Sequence, residues 1–321
     1  MSYSINNMNR KEKINTILFE LKVLRDSTSD PDRFYAIDAN IEFYKSIKSI
    51  FSYIYWLFRI APKLDPKKLQ EINDLLPEYT EEMHRHLVSI ERKNFPGLIK
   101  DFVKRISDFV YLSNKDLIMM NIGSGGMELE RQIIEKLIKT RSKSRIIFVG
   151  DDMSDLSHKV AKENLRNLSE KISYYSFEEL NLNYIERIQK MDNSNYIIIQ
   201  CKNNFSKLLN FFPENYFDLI YSSFFRHHLN SKEVDIVQSV GIKVSKSYFE
   251  YDGLRNLFQL IPQSLVAWSN VILLNGSVLS GLRYVEKNNL LKNINSVGSK
   301  NIDSKISYNK LSHYLLELSK K

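Results

Sequence analysis

A single cysteine, Cys201, stands in a chain of 321 residues. Its isolation excludes an intramolecular disulfide and any cysteine-rich zinc site. It lies in an apolar run, so a core position in a protein of the reducing, cytoplasmic interior is expected. Long apolar runs are missing as well. The most apolar window, Ile50 to Ala61, is too short to cross a bilayer as a helix and carries Arg59. A buried or lid-forming helix is expected there, and no membrane span. The N-terminus is polar and lacks the short apolar core and small residues of a secretory signal. There is neither an internal repeat nor a low-complexity segment. Acidic residues are outnumbered, 38 Asp and Glu against 46 Lys and Arg, a net charge of +8. That permits an anionic partner, but the charges are scattered rather than clustered, which describes a solvated basic surface and does not favour nucleic acid. Nothing in the sequence fixes an oligomeric state. At 43% hydrophobic residues the chain can bury a real core, either in two domains or in one domain with a large extension.

The first part of the chain is almost free of glycine and helical in pattern. Lys11 to Arg25 repeats apolar residues at helical spacing through Ile14, Ile17, Leu18, Leu21 and Leu24, and Pro31 to Ile60 predicts one long helix with Pro31 near its start. Pro62 and Pro66 punctuate the chain. A shorter helix through Leu69 and Ile72 follows, then one from Glu78 to Arg92 and one from Pro96 to Leu112. Residues 1–113 are therefore expected to form an all-helical cap or extension, bounded at Ser113-Asn114-Lys115, with a second domain over 114–321. Tyr35, Phe43, Tyr44, Phe51, Tyr53, Tyr55, Trp56 and Phe58 concentrate aromatic surface in the second helix. They serve either packing or the roof of a pocket for a substrate with an apolar body.

From Asp116 the pattern changes. The apolar run Leu117 to Ile122 ends in Gly123-Ser124-Gly125-Gly126, and a helical pattern continues through Ile133, Ile134, Leu137 and Ile138. This predicts a buried parallel strand, a tight turn and a helix. Glycine there tolerates positive φ and lets backbone N–H groups approach a ligand closely; a lone glycine pair serves equally as a plain turn. Arg145 to Gly150 predicts a second strand, ending in Asp151-Asp152, and Ser154 is placed to cap the helix that follows, Leu156 to Leu168. A carboxylate at the tip of the second strand is where a doubly wound sheet holds the two ribose hydroxyls of an adenosine.

Residues 117 to 230 resemble the core of the class I S-adenosylmethionine-dependent methyltransferases. Ile122-Gly123-Ser124-Gly125-Gly126 is similar to the family's first motif, Gly150-Asp151-Asp152-Met153-Ser154 matches its Gly-x-Asp-x-Ser pattern, and Phe217 to Leu229 resembles its fourth strand and the strand's ending. The resemblance implies an α/β fold with a Rossmann-like, doubly wound, mostly parallel sheet. It implies S-adenosyl-L-methionine as cofactor, with methionine near Asn121, Gly123, Ser124 and Gly125, ribose on Asp152 beside Met153, and adenine near Asn203 or Asn204. Tyr221 and Ser222 are expected to line the cofactor end of the fourth strand. Two positions depart from the pattern: Asn121 replaces an acid and Met127 a glycine. The third strand is Tyr196 to Cys201, with Ile172 to Phe177 as the competing stretch. A fifth strand is expected at Val271 to Asn275, helices at Leu254 to Leu260 and Lys310 to Leu318, and sheet-closing strands at Val278 to Val285 and Lys305 to Tyr308.

A methyl sulfonium is already reactive, so such a site has mainly to align an acceptor and exclude water, with a base added where the acceptor carries a proton. His227 and His228, at the mouth of the fourth strand, are the histidines placed for that role; both could equally be structural. The chain lacks Asn-Pro-Pro-Tyr or Asp-Pro-Pro-Tyr after that strand, which argues against methylation of a base's exocyclic amine. A small or medium-sized metabolite, methylated on oxygen, nitrogen or carbon under the helical cap, is the expected acceptor. A binding or regulatory protein that keeps the fold without turnover is the second reading, and an RNA methyltransferase the third. The Tyr221 to Leu229 ending argues against a fourth, NAD-dependent oxidoreduction.

Overall fold

The structure, a computed structural model, describes residues 9–73, 75–76, 99–140, 144–166, 168, 172–202, 209–255, 260–261, 264–265, 267–268, 270–291, 302–309 and 313–321. In chain order the helices are α1 (Arg10–Asp26), α2 (Pro31–Ser46), α3 (Ile50–Arg59), α4 (Pro66–Asn73), α5 (Lys100–Ser113), α6 (Glu128–Lys139), α7 (Asp155–Leu165), α8 (Leu182–Met191), α9 (Ser231–Val244) and α10 (Val271–Arg283). The strands are β1 (Leu117–Ile122), β2 (Ile146–Asp151), β3 (Ile172–Phe177), β4 (Tyr196–Cys201), β5 (Phe217–Ser223), β6 (Ser245–Gly253), β7 (Ile302–Asn309) and β8 (His313–Lys320). The chain divides into two compact units, Met1–Leu87 with Arg255–Glu286, and Val88–Leu254 with Lys287–Lys321. This differs from a single boundary at residue 113. Phe102, Val103, Ile106 and Val110 of α5 bury in one cluster with Leu117 and Met119 of β1, which ties α5 to the sheet.

In the helical unit, α1 opens on a capping box: the Glu12 N–H donates to Asn9 Oδ1 at 3.1 Å and the Asn9 N–H to Glu12 Oε2 at 2.8 Å. The single helix expected over Pro31 to Ile60 is two, α2 and α3. Ser46 Oγ donates to the Phe43 carbonyl at 2.6 Å, and Ser49 is extended where it precedes α3, so side-chain bonding competes with helix continuation. The aromatic residues divide accordingly. Phe43, Tyr44, Tyr53 and Trp56 are core, with Phe43 edge-on to Trp56 at 5.0 Å, while Tyr35, Phe51 and Tyr55 are exposed.

Val271 to Asn275 and Val278 to Val285, expected as strands, lie instead on and just beyond α10. The Asn270 side chain accepts from the Ile272 N–H at 3.0 Å, and the buried positions Val271, Ile272, Leu274, Asn275, Val278, Leu279 and Leu282 recur at helical spacing. Leu279 packs with Ala39 and Leu69 of the same unit. The helix expected at Glu78 to Arg92 lies outside the described residues, as does most of Leu254 to Leu260.

The second unit is built on one sheet, in the order β3-β4-β2-β1-β5-β6-β8-β7. Strands β1 to β6 pair in parallel, and β8 runs antiparallel to both β6 and β7. This is the expected Rossmann-like, mostly parallel arrangement. Tyr196 to Cys201 does lie beside β2, and Ile172 to Phe177 adds an outer strand. The parallel strand expected at Val271 to Asn275 is instead β6, paired with β5. The helix expected over Lys310 to Leu318 is replaced by β8, where Tyr314, Leu316 and Leu318 alternate into the core with period two. No helix among the described residues is long and apolar enough to cross a membrane.

Candidate functional site

The site is built where β1 and β2 end side by side, Ile122 in register with Asp151. Gly123 and Gly125 both take left-handed backbone, at φ 68° and 52°, which a side chain would strain. Their surroundings differ. A Cβ on Gly123 would come within 2.3 Å of the Phe225 ring, whereas one on Gly125 would meet nothing within 4 Å. The turn is therefore walled by Phe225 on one side and open at Gly125. Ser124 is buried between them, its N–H on the Asp151 carbonyl at 2.9 Å. Met127, standing where the family pattern has glycine, has φ 57° and puts its side chain against the bare Cα of Gly150.

Two consecutive aspartates meet this turn in different environments. Asp152 Oδ2 accepts from the Gly125 N–H and Oδ1 from the Ser154 N–H, each at 2.9 Å. Ser154 also caps α7 through the Ser157 N–H at 3.3 Å, and Met153 between them is 72% exposed. Asp151 is buried, accepts a 3.2 Å bond from the Gly123 N–H on its side chain, and burial pushes its carboxyl up to about 8. His158 steadies the segment, with Nε2 2.9 Å from the Asp152 carbonyl and Nδ1 3.0 Å from Ser176 Oγ.

Below the turn, Asn121 Nδ2 and Tyr221 Oη both donate to Glu130 Oε1, each at 2.7 Å. Glu130 is fully buried, and burial raises its pKa against the opposing bonds from Tyr221 and Asn121. Burial, with Glu130 beside it, raises the Tyr221 hydroxyl well above its ordinary value. Ser222, the next residue of β5, projects from the opposite face of the sheet, beside Tyr248. Tyr221 and Ser222 are thus engaged with protein groups on opposite faces. Asn203 and Asn204 lie outside the described residues.

Beyond Phe225 a second polar cluster begins. His227 is buried, with Nδ1 3.0 Å from Asp252 Oδ1 and its N–H on Oδ2 at 3.1 Å; His228 is exposed, its ring centroid 4.1 Å from that of His227. Burial alone would raise Asp252, but the charge and hydrogen bonds of His227 hold it below the usual carboxylate range. Next to it, Glu250 accepts from Arg226 Nη1 at 2.9 Å, Tyr314 Oη at 2.6 Å, Tyr248 Oη at 3.0 Å and Gln238 Nε2 at 3.1 Å.

Sequence reasoning missed Glu130, Gln200 and Asp252. Gln200 Nε2 donates to the Gly125 carbonyl at 2.9 Å and its Oε1 accepts from Tyr174 Oη at 2.8 Å, which ties β4 to the turn. An acid in the first turn of a helix after a glycine turn was the available signal for Glu130; Gln200 and Asp252 had none, because their partners are distant in sequence. No group of metal-ligating residues is present among the described residues.

No protein-family model and no curated protein matches the sequence. Solved structures do match. The plantazolicin methyltransferase BpumL, in complex with a triazolic desmethylPZN analog and SAH, is 9% identical with a TM-score of 0.51, over 80% of this chain and 98% of that one. The magnesium protoporphyrin IX methyltransferase ChlM of Synechocystis PCC 6803, with bound SAH, is 10% identical with a TM-score of 0.46, over 77% and 99%. At such identities the likeness is one of fold.

Proposed function

We propose that this chain, which has the Rossmann-like fold of the class I S-adenosylmethionine-dependent methyltransferases, is a methyltransferase acting on oxygen, nitrogen or carbon of a small or medium-sized metabolite. The observation that carries the reading is the 2.9 Å meeting of Asp152 Oδ2 with the Gly125 N–H at the carboxyl ends of two adjacent parallel strands. The residues present fit S-adenosyl-L-methionine. The space beside the Gly125 Cα is open, Asp152 offers two acceptor oxygens for a pair of hydroxyls, and Asn121 Oδ1 is a buried acceptor without a partner among the described residues. Bound there, the cofactor supplies a methyl group on an electrophilic sulfonium.

The chain's own part is to hold, orient and dry the site. Asp152 takes the ribose hydroxyls and Met153 covers them; Gly123, Ser124 and Gly125 curve the chain around the methionine end; the adenine is assigned to Asn203 or Asn204. Tyr221 and Ser222 brace β5 from its two faces. Where the acceptor loses a proton, His227 receives it, its ring oriented by Asp252 through Nδ1. His228 is the exposed alternative.

Calorimetry with S-adenosylhomocysteine, followed by transfer of label from tritiated S-adenosylmethionine to a cell extract, tests the reading. Absence of heat with well-folded protein would overturn it. Tight binding without transfer to any acceptor would favour a binding or regulatory protein, the alternative that Asn121 in an acid's place motivates. Given an acceptor, His227→Gln is expected to lower turnover about 100-fold while leaving S-adenosylhomocysteine binding within twofold; equal turnover would remove His227 from the chemistry.

A further inference from the structure

Asn121 looks like a lost charge: an amide where the family pattern has an acid. The structure gives it a different meaning. Its Nδ2 donates to Glu130 Oε1 at 2.7 Å, which fixes the amide the other way round, with Oδ1 as its remaining acceptor. Asn121 Oδ1 is buried without a hydrogen-bond partner among the described residues, and so is Glu130 Oε2. Buried acceptors of this kind are rare in folded proteins unless something absent satisfies them. Two of them meet in one pair of side chains, directly beneath a glycine turn. Both are acceptors, so the group they await is a donor, and a carboxylate beside them favours a cationic one.

We infer that Glu130 supplies the negative charge that Asn121 lacks, and that the Asn121–Glu130 pair receives the ammonium group of the cofactor's amino-acid end. Asn121 makes the contact through Oδ1, and Glu130 is its positioning residue, polarising and orienting the amide. Tyr221, donating to the same Glu130 oxygen, holds the carboxylate in place. The cation in turn favours the ionised form of a carboxyl whose pKa burial raises. This assignment rests on the proposed methyltransferase function but can fail separately from it.

The test uses two probes, S-adenosylhomocysteine, which has the ammonium, and 5′-methylthioadenosine, which has the adenosine and lacks the amino-acid end. In calorimetry on the full chain, Glu130→Gln is expected to weaken S-adenosylhomocysteine about tenfold, as loss of a charge-assisted contact does, and to leave 5′-methylthioadenosine within twofold. The double variant Asn121→Asp/Glu130→Gln moves the carboxylate to residue 121 and should recover most of the lost affinity. Equal weakening of both probes, unchanged S-adenosylhomocysteine affinity in Glu130→Gln, or no recovery in the double variant would overturn the assignment. Wild-type protein that binds neither probe would overturn the proposed function itself, and the assignment with it. Should Glu130→Gln alone fail to fold, the double variant decides: affinity near wild type supports the relocated charge, and a tenfold loss refutes it.

Discussion

Glu250 and Glu130 are both buried glutamates at the sheet of one unit, and they are treated in opposite ways. Glu250 receives four donors, Tyr248 from its own strand and Arg226, Gln238 and Tyr314 from three other segments of chain. Glu130 receives two, both on one oxygen, and its other oxygen has no hydrogen-bond partner among the described residues. A saturated carboxylate with an arginine beside it has no capacity left and holds its segments in register. An undersaturated one keeps capacity in reserve, at a cost in stability. Buried charge alone therefore does not mark function; the remaining hydrogen-bonding capacity separates the two.

The contrast can be broken most directly at its structural end. Arg226→Met leaves Glu250 buried without its cation and is expected to destabilise the protein by about 3 to 5 kcal/mol in urea unfolding; an unchanged midpoint would mean that the three neutral donors suffice. A second effect comes from Asp151. Unfolded, this carboxyl ionises near its ordinary value of about 4, and folded it keeps its proton up to about 8. Folding thus takes up a proton between those values, and stability should fall by about 5 kcal/mol as the pH rises from 4 to 8. Asp151→Asn should flatten that part of the stability–pH curve, and a slope unchanged by the substitution would locate the proton elsewhere.

Asp152→Ala comes next, weakening S-adenosylhomocysteine by about 1 to 3 kcal/mol through unpaired hydroxyls. Full affinity in a folded variant would mean that the hydroxyls are held by another residue. The smallest effect sharpens the comparison from the other side: Glu130→Gln should cost under about 1 kcal/mol of unfolding free energy at neutral pH, because the amide oxygen still accepts from Asn121 and Tyr221. A loss as large as that of Arg226→Met would place Glu130 with Glu250 as a structural acid.

What could be read from residues alone was mostly local. The strand, turn and helix around Gly123, the Ser154 cap, and β2 ending at the aspartates all follow from contiguous chemistry. The failures have particular causes. Strand β6 buries six consecutive residues from Tyr248 to Gly253, so it carries no alternation to mark it. The Val271 to Leu274 run looks like a strand in a short window, and only the spacing out to Leu282 reveals a helix. In the site, Asn121 and Glu130 are nine residues apart and within reach of inspection, but Gln200 lies 75 residues from Gly125 and Asp252 25 from His227. Those pairings exist only once the parallel strands are laid side by side.

The excursion of Arg255–Glu286 out of the sheet-bearing unit and into the helical one has a consequence for how this protein can be taken apart or evolve. Each unit is assembled from two separated stretches of chain, so no single cut liberates either of them whole. A fragment ending near residue 113 would keep Ala39 and Leu69 but lose Leu279, exposing an apolar seam to water. Recombination at one crossover point would strip both halves at once, and the helical part can be exchanged among relatives only by grafting two segments together.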